Sequence, residues 1–451
     1  MAHCIFADPV QHCFTTPNPP YRKGARPARI RAWFFAVAVM SYRQWFHELD
    51  QLLAQHRGLW QLRPFSLRSI PWQEQWPDLA AAISRLSLPQ VNALSEQPHR
   101  LYEMLGEYFP DAHRLHRLIQ VPPAPIQQQF GDDERLSYEV PGRKWQQIRA
   151  FVQALPARNL PLLEWCAGKG HLGRLASQAM AAPVLSLELD PQLCQDGQRL
   201  ADRLQLAQQL QPCDVLGRQV RQYFQAGQQA LALHACGDLH VALLRQGCQH
   251  QVQALAISPC CYHRTREDLY QPLSTAARST NLQLSRQDRQ LAVQESVTAG
   301  QRVRRLRDQE VCWRLGFDLL QRQLRGCDEY LPVPPLKTQL LTQGTFTDFC
   351  HWAAERKQLV LQGPIDFEAL EQAGRQRHLQ IRQLELVCQL FRRPLELWLV
   401  LDRILFLEEQ GYQVSLHEFC ARNLTPRNLL IQAQRRGSAS QEGGWSSRAQ
   451  A

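Results

Sequence analysis

The sequence predicts an α/β fold built on a mostly parallel, doubly wound sheet, and three observations carry that expectation. From Leu160 onward, short apolar runs alternate with helical periodicities, the pattern of a parallel sheet covered by helices. The first run breaks into Gly168-Lys169-Gly170-His171-Leu172-Gly173, a glycine-rich turn that opens a helix and aims unpaired backbone N–H groups over the sheet edge. Near the C-terminus, two extended stretches (412–420 and 428–434) flank Asn423-Leu424-Thr425-Pro426-Arg427 and read as an antiparallel pair closing the same sheet.

Taken in order, residues 1–40 read as disordered or as an upstream extension. Arg22, Lys23, Arg26, Arg29 and Arg31 precede a short apolar run, but no small-residue cleavage site follows it. Residues 41–125 form a helical N-terminal unit. Ser41-Tyr42-Arg43-Gln44 is a capping box, Trp45, Phe46, Leu49, Leu52 and Leu53 recur at helical spacing, and Gly58 supplies a stop. Further helical pieces are expected at 78–86 and 91–109, and the proline-rich stretch Val121-Pro122-Pro123-Ala124-Pro125 is a stiff linker.

Residues 126–270 form the sheet core. A helix beginning near Gly142 leads into strands at 160–164 and 184–188, a third ending before Asp214, a fourth at 230–234 and a fifth at 254–258. Residues 271–410 form a helical insertion, with helices at 346–361, 366–392 and 394–410. The last is apolar almost all round yet interrupted by Glu396, Asp402 and Arg403, so it reads as a buried helix rather than a membrane span. Residues 411–436 form the closing hairpin, and the Ser-, Gly- and Gln-rich tail 437–451 is expected to be disordered.

Formal net charge is +10, and the only lysines are Lys23, Lys144, Lys169, Lys337 and Lys357, so arginine dominates the positive charge. The planar guanidinium fork suits phosphates, which makes RNA a plausible partner; a solvated basic surface is the plainer alternative. The 14 cysteines include no C-x-x-C pair and no His/Cys zinc spacing, so reduced thiols in a cytoplasmic, soluble protein are expected, without structural disulfides or membrane contact.

The glycine turn is the candidate ligand site. Gly168-x-Gly170-x-x-Gly173 formally satisfies a dinucleotide fingerprint, so a nicotinamide or flavin dinucleotide competes with S-adenosylmethionine, and an ordinary turn without ligand is the third reading. Glu164 tips the balance: a pyrophosphate would meet an unhelpful negative charge there, whereas an ammonium and a sulfonium would be attracted. Glu188 ends the second strand where it can accept both ribose hydroxyls, and Asp214 follows the third where it can reach an adenine amine. Cys166, Ala167, Gly168, Gly170 and His234 complete the expected cofactor cradle, and Arg143 and Lys144 either reach a phosphate or a cofactor carboxylate or face solvent at a helix start.

With these residues assembled, Glu164-x-Cys166-Ala167-Gly168-Lys169-Gly170-His171-Leu172, Leu233-His234-Ala235-Cys236-Gly237-Asp238-Leu239 and Pro259-Cys260-Cys261-Tyr262-His263 resemble methyltransferase domain family 32, a branch of the class I S-adenosylmethionine-dependent methyltransferases. Relatives in that branch include eukaryotic tRNA acceptor-stem 2′-O-methyltransferases, and Leu424-Thr425-Pro426-Arg427-Asn428-Leu429 resembles an end segment of other members. The resemblance spans about 142–263 plus the C-terminal hairpin. It implies a Rossmann-like, seven-stranded class I methyltransferase sheet, S-adenosylmethionine as cofactor and methyl transfer as the reaction. The tRNA enzymes carry Cys/His zinc modules that this sequence lacks.

Methyl transfer needs an aligned nucleophile and, for a hydroxyl acceptor, a base. His234, Asp238 and His263 are the candidate catalytic groups, and Cys260, Cys261 and Tyr262 join Lys144 as substrate-facing candidates, the tyrosine as a surface for stacking a base. Cys236, Cys260, Cys261 and His263 form a conceivable metal set, but adjacent cysteines rarely reach tetrahedral geometry without strain, and no metal is expected. Three functions follow: methylation of RNA, the same chemistry on a protein or small molecule, and a cofactor- or RNA-binding module without turnover. Oligomeric state is not legible.

Overall fold

The computed structural model describes residues 40–131, 133–294 and 301–437, so the expectations for 1–39 and for the tail beyond 437 lie outside the described residues. Seven strands form one sheet: β1 (Leu162–Trp165), β2 (Val184–Glu188), β3 (Gln208–Pro212), β4 (Gln229–Cys236), β5 (Ala254–Cys260), β6 (Tyr412–Glu418) and β7 (Leu429–Arg435). Their order is β3-β2-β1-β4-β5-β7-β6, and β7 runs antiparallel to both its neighbours while the first five strands are parallel. This is the Rossmann-like class I arrangement.

The strand boundaries differ from expectation for local reasons. Pro161 has no N–H to donate, so the ladder begins at Leu162, whose N–H reaches the Pro183 carbonyl at 2.8 Å. β4 continues past His234 through an irregularity between Leu233 and Cys236. β5 runs through Pro259 because β7 pairs only with its first part, Ala254 to Ile257, and the missing N–H leaves no gap in the ladder.

We number the helices that frame the sheet α1 (Tyr42–Gln55), α2 (Gly142–Gln153), α3 (His171–Met180), α4 (Pro191–Arg203), α5 (Asp238–Gln249), α6 (Gln301–Arg325), α7 (Phe346–Arg356), α8 (Phe367–Gln389) and α9 (Arg392–Glu409). Ser41 caps α1 with Gln44 reciprocating, as the capping box requires. The expected helix at 91–109 is instead two helices, Leu88–Glu96 and Pro98–Gly106, because Pro98 cannot continue the first.

One continuous core joins the N-terminal helices, α9 and a face of the sheet, with Phe46 against Trp398 at 5.1 Å between ring centroids and Leu163 and Ile257 below. The opposite face of the sheet buries Phe151 and Val152 of α2 and Leu172 and Leu175 of α3. Trp313, Phe317 and Phe349 build a separate cluster among α6, α7 and their neighbours.

The charges interrupting α9 are each answered internally. Glu396 accepts from Arg393 at 2.7 Å, and that guanidinium also reaches Glu418 and Asn428 of the hairpin. Asp402 accepts the Leu273 and Ser274 N–H groups at 2.9 and 2.7 Å. Arg403 donates to Nε2 of His240 at 2.9 Å, so the other ring nitrogen carries the proton it gives to the Ala235 carbonyl. Among the described residues, no helix is long and apolar enough to cross a membrane.

Candidate active site

The glycine turn is built by left-handed backbone at Cys166, Gly168 and Gly170, with φ of 56°, 58° and 66°. The Ala167 N–H bonds the Leu187 carbonyl and the Gly170 N–H bonds Ala167, tying the turn to β2. Lys169 lies 3.5 Å from both Glu139 and Asp196. At Gly168 a Cβ would meet nothing within 4 Å, so open space lies above the turn where a ligand would approach.

Glu188, at the end of β2, accepts the Gly168 N–H at 2.8 Å and the Asp190 N–H at 3.2 Å. Asp214 follows β3 on the exposed edge and holds the Leu216 N–H at 2.9 Å. Glu164 is placed differently from the expectation that it faces a positively charged ligand. It is 2 % exposed and turned beneath α3, where Ser186 donates to it at 2.6 Å. Gly173 makes this possible, because a Cβ there would stand 2.4 Å from the Glu164 carboxylate. Burial pushes the Glu164 carboxyl up to about 7, and the Ser186 hydrogen bond only partly offsets it.

Arg174, which the sequence reading did not single out, is a further candidate for the site. It is 1 % exposed, one nitrogen contacts Nδ1 of His171, and Nε and Nη1 have no hydrogen-bond partner among the described residues. Burial and the neighbouring guanidinium drive the His171 ring down to about 3, so it stays neutral. Lys144, exposed at the start of α2, lies within electrostatic reach of Arg174 and Glu164. Two buried, unanswered guanidinium donors fit a carboxylate, and an amino-acid moiety such as that of S-adenosylmethionine would supply one.

The ends of β4 and β5 form the facing wall. His234 is half-buried in left-handed backbone (φ 65°), and Gln147 of α2 meets its Nε2 at 2.8 Å. Burial lowers its pKa, so the ring is neutral near pH 7. With Nε2–H donating to the glutamine oxygen, Nδ1 keeps a lone pair. Asp238 instead accepts the Arg266 N–H at 2.6 Å and ties the loop after β5 to α5. His263 is half-buried, and its Nδ1 has no partner among the described residues. Gly237 (φ 53°) lets these two loops touch: a Cβ there would fall 1.7 Å from the Arg264 carbonyl oxygen.

Tyr262 does not serve as a stacking surface. It is fully buried, its ring lies under the Arg403 guanidinium at 5.0 Å, and its hydroxyl faces Pro259. Cys260 is buried as well, while Cys236 and Cys261 are half-buried beside it. Hydrogen bonds from Cys236 and Cys260 hold the Cys261 thiol far below its ordinary range. A cavity of about 420 Å³ lies elsewhere, lined by Trp60, Asn92, Arg304, His378 and Glu385, with no residue of the glycine turn in its wall.

An open parallel sheet with a glycine turn and acidic strand end beside it defines a nucleotide-type ligand cleft of the class I kind. Residues 143–268 match a family described as a methyltransferase domain, and this segment is a class I S-adenosylmethionine-dependent methyltransferase domain of that type. The family implies S-adenosylmethionine as the methyl donor. Among solved structures, geranyl diphosphate methyltransferase in complex with SAM is 14% identical, matched over 31% of this chain and 62% of that chain, with a TM-score of 0.22. A structure of the same enzyme name with GPP and sinefungin is 18% identical over 42% and 65%, at 0.23. Geranyl diphosphate C-methyltransferase from Streptomyces coelicolor A3(2), with Mg2+, geranyl-S-thiolodiphosphate and S-adenosyl-L-homocysteine, is 16% identical over 42% and 65%, at 0.21. The chain thus spans less than two thirds of the length of each of these three proteins.

Proposed function

We propose that this chain transfers a methyl group from S-adenosylmethionine to RNA. The observation that carries the reading is the convergence of the Glu188 carboxylate, the open face of Gly168 and the unanswered donors of Arg174 around one turn of a methyltransferase domain. In this reading Glu188 accepts the ribose hydroxyls, Arg174 and Lys144 hold the donor's carboxylate, and Asp214 meets the adenine amine. When bound, S-adenosylmethionine supplies an already activated sulfonium methyl, so alignment of the acceptor is the protein's main task, worth up to about 7–11 kcal/mol. His234 takes a proton at Nδ1 while Gln147 fixes its ring, and His263 is a second base on the same wall.

For RNA, the number of arginines is a weaker argument than their placement. Arg289, Arg322, Arg393 and Arg403 are buried and engaged inside the fold, and Arg174 is buried beneath the glycine turn. The support comes from Arg143 at the start of α2 and Arg264 and Arg266 on the loop after β5, which are exposed where phosphates can reach them, whereas Arg286 is held by Asp268 at 2.8 Å. Radiolabelled S-adenosylmethionine incubated with the protein and a cell extract tests this. Label released by nuclease supports RNA; label released only by protease moves the acceptor to protein. Donor binding without any label overturns turnover altogether.

A further inference from the structure

We propose that Cys236, Cys260 and Cys261 form a three-thiolate zinc site with an open fourth position, set in the acceptor wall of the cleft. The inference is independent of whether the acceptor is RNA. Among the described residues, these three cysteines are the one His, Cys, Asp or Glu grouping whose ligand atoms lie mutually within 4.8 Å. Cys236 and Cys260 are register partners on adjacent parallel strands, with their sulfurs 3.4 Å apart. Tetrahedral zinc with Zn–S of about 2.3 Å places its sulfur ligands about 3.8 Å from one another, inside the range these thiols already occupy.

The backbone explains how neighbouring cysteines can share one ion. Successive side chains along a strand point to opposite faces, so Cys261, following Cys260 out of β5, would ordinarily turn away from it. Cys261 instead adopts left-handed backbone, φ 46°, which ends the alternation and brings its sulfur round to the same cluster. A non-glycine residue is strained there, and such strain persists only where the surrounding structure imposes it. Local order argues the same way: His234, two residues before Cys236, is also left-handed, and Gly237 after it permits the close approach of the Arg264 carbonyl.

Ligand chemistry selects the ion. Thiolates are soft donors that favour zinc over magnesium or calcium. A disulfide would use two of the three sulfurs and leave the turned Cys261 or its partner unexplained. Cys260 is buried and anchors the set, whereas Cys236 and Cys261 are half-buried, leaving an approach from the cleft. Three protein ligands plus an open position is the arrangement that binds a substrate heteroatom directly.

The full-length protein, purified under reducing conditions with added zinc and desalted, should retain one zinc per chain by elemental mass spectrometry. Cobalt(II) in its place should show the charge-transfer and ligand-field bands of a tetrahedral thiolate complex. Cys236→Ser and Cys261→Ser should each lower zinc affinity by at least 10-fold, with a far-ultraviolet circular dichroism spectrum like that of the parent. Because Cys260→Ser disturbs a buried position, the two half-exposed variants decide the matter. Zinc retained undiminished in both variants, no zinc in the parent, or a mapped Cys236–Cys260 disulfide with no metal uptake after reduction would each overturn the site.

Discussion

The Glu188 carboxylate accepts the Gly168 backbone N–H at 2.8 Å, so the acid that ends β2 is clamped to the most open point of the glycine turn. The strand and the turn are thereby fixed relative to each other before any ligand arrives. In the proposed reading, a ribose arriving there would meet an acceptor already oriented, with little ordering entropy left to lose.

Glu188→Ala should therefore abolish most donor affinity without unfolding the protein. Each hydrogen bond to a charged group contributes about 1.5–3 kcal/mol, so S-adenosylhomocysteine should bind about 10- to 150-fold more weakly by calorimetry. Unchanged affinity would show that the ribose lies elsewhere.

Arg174→Met tests the carboxylate end of the same ligand. S-adenosylhomocysteine carries an amino-acid moiety and 5′-methylthioadenosine does not. The substitution should weaken the first by about 10-fold or more and leave the second nearly unchanged. Equal losses for both would mean that Arg174 supports the fold rather than the ligand.

Glu164 makes stability depend on pH. Its folded pKa, about 7, stands above the ordinary 4.5, so folding favours the protonated form. Its stabilising contribution is complete below the unfolded value and is lost as pH rises through the folded one, to a limit of about 3 kcal/mol. Denaturant unfolding should show stability declining between about pH 5 and 8, with that decline reduced in Glu164→Gln. An identical slope in the two proteins would remove the assignment.

Gly237→Ala places a methyl 1.7 Å from the Arg264 carbonyl oxygen in a left-handed conformation. The obstacle is backbone, so the loop after β5 must move. A loss of about 1–3 kcal/mol in unfolding free energy is expected, together with reduced methyl transfer at unchanged S-adenosylhomocysteine affinity.

Arg264→Ala and Arg266→Ala address the acceptor. Each phosphate contact removed should lower the slope of log affinity against log salt by about 0.7 for single-stranded RNA. A slope unaffected by both changes would place the nucleic acid on another face.

Much of the sheet was legible because β-runs and the glycine turn are local signals. β2 spans the residues expected from its apolar run, and the hairpin at β6 and β7 was visible from its flanking turn. The site was only partly legible. Glu164 looks like a cleft residue from its position at a strand end; only the absent Cβ of Gly173 shows that the carboxylate can fold beneath α3. Tyr262 lies in a polar-looking segment, yet Arg403, 141 residues later, closes over its ring. Gln147 reaches His234 across 87 residues, a pairing that no local spacing encodes. The charges on α9 signalled burial correctly, but only Glu396 finds a charged partner on the same helix; Asp402 and Arg403 reach groups on distant elements.

The insertion of β7 between β5 and β6 has a consequence for biosynthesis. The free edge of β5, which ends at Cys260, has no mate until Leu429–Arg435 has been synthesised. Until then that edge, and the apolar surface that α9 will cover, remain available to other chains. Chaperone dependence and clumping of nascent or C-terminally truncated forms are the expected cost of this late closure.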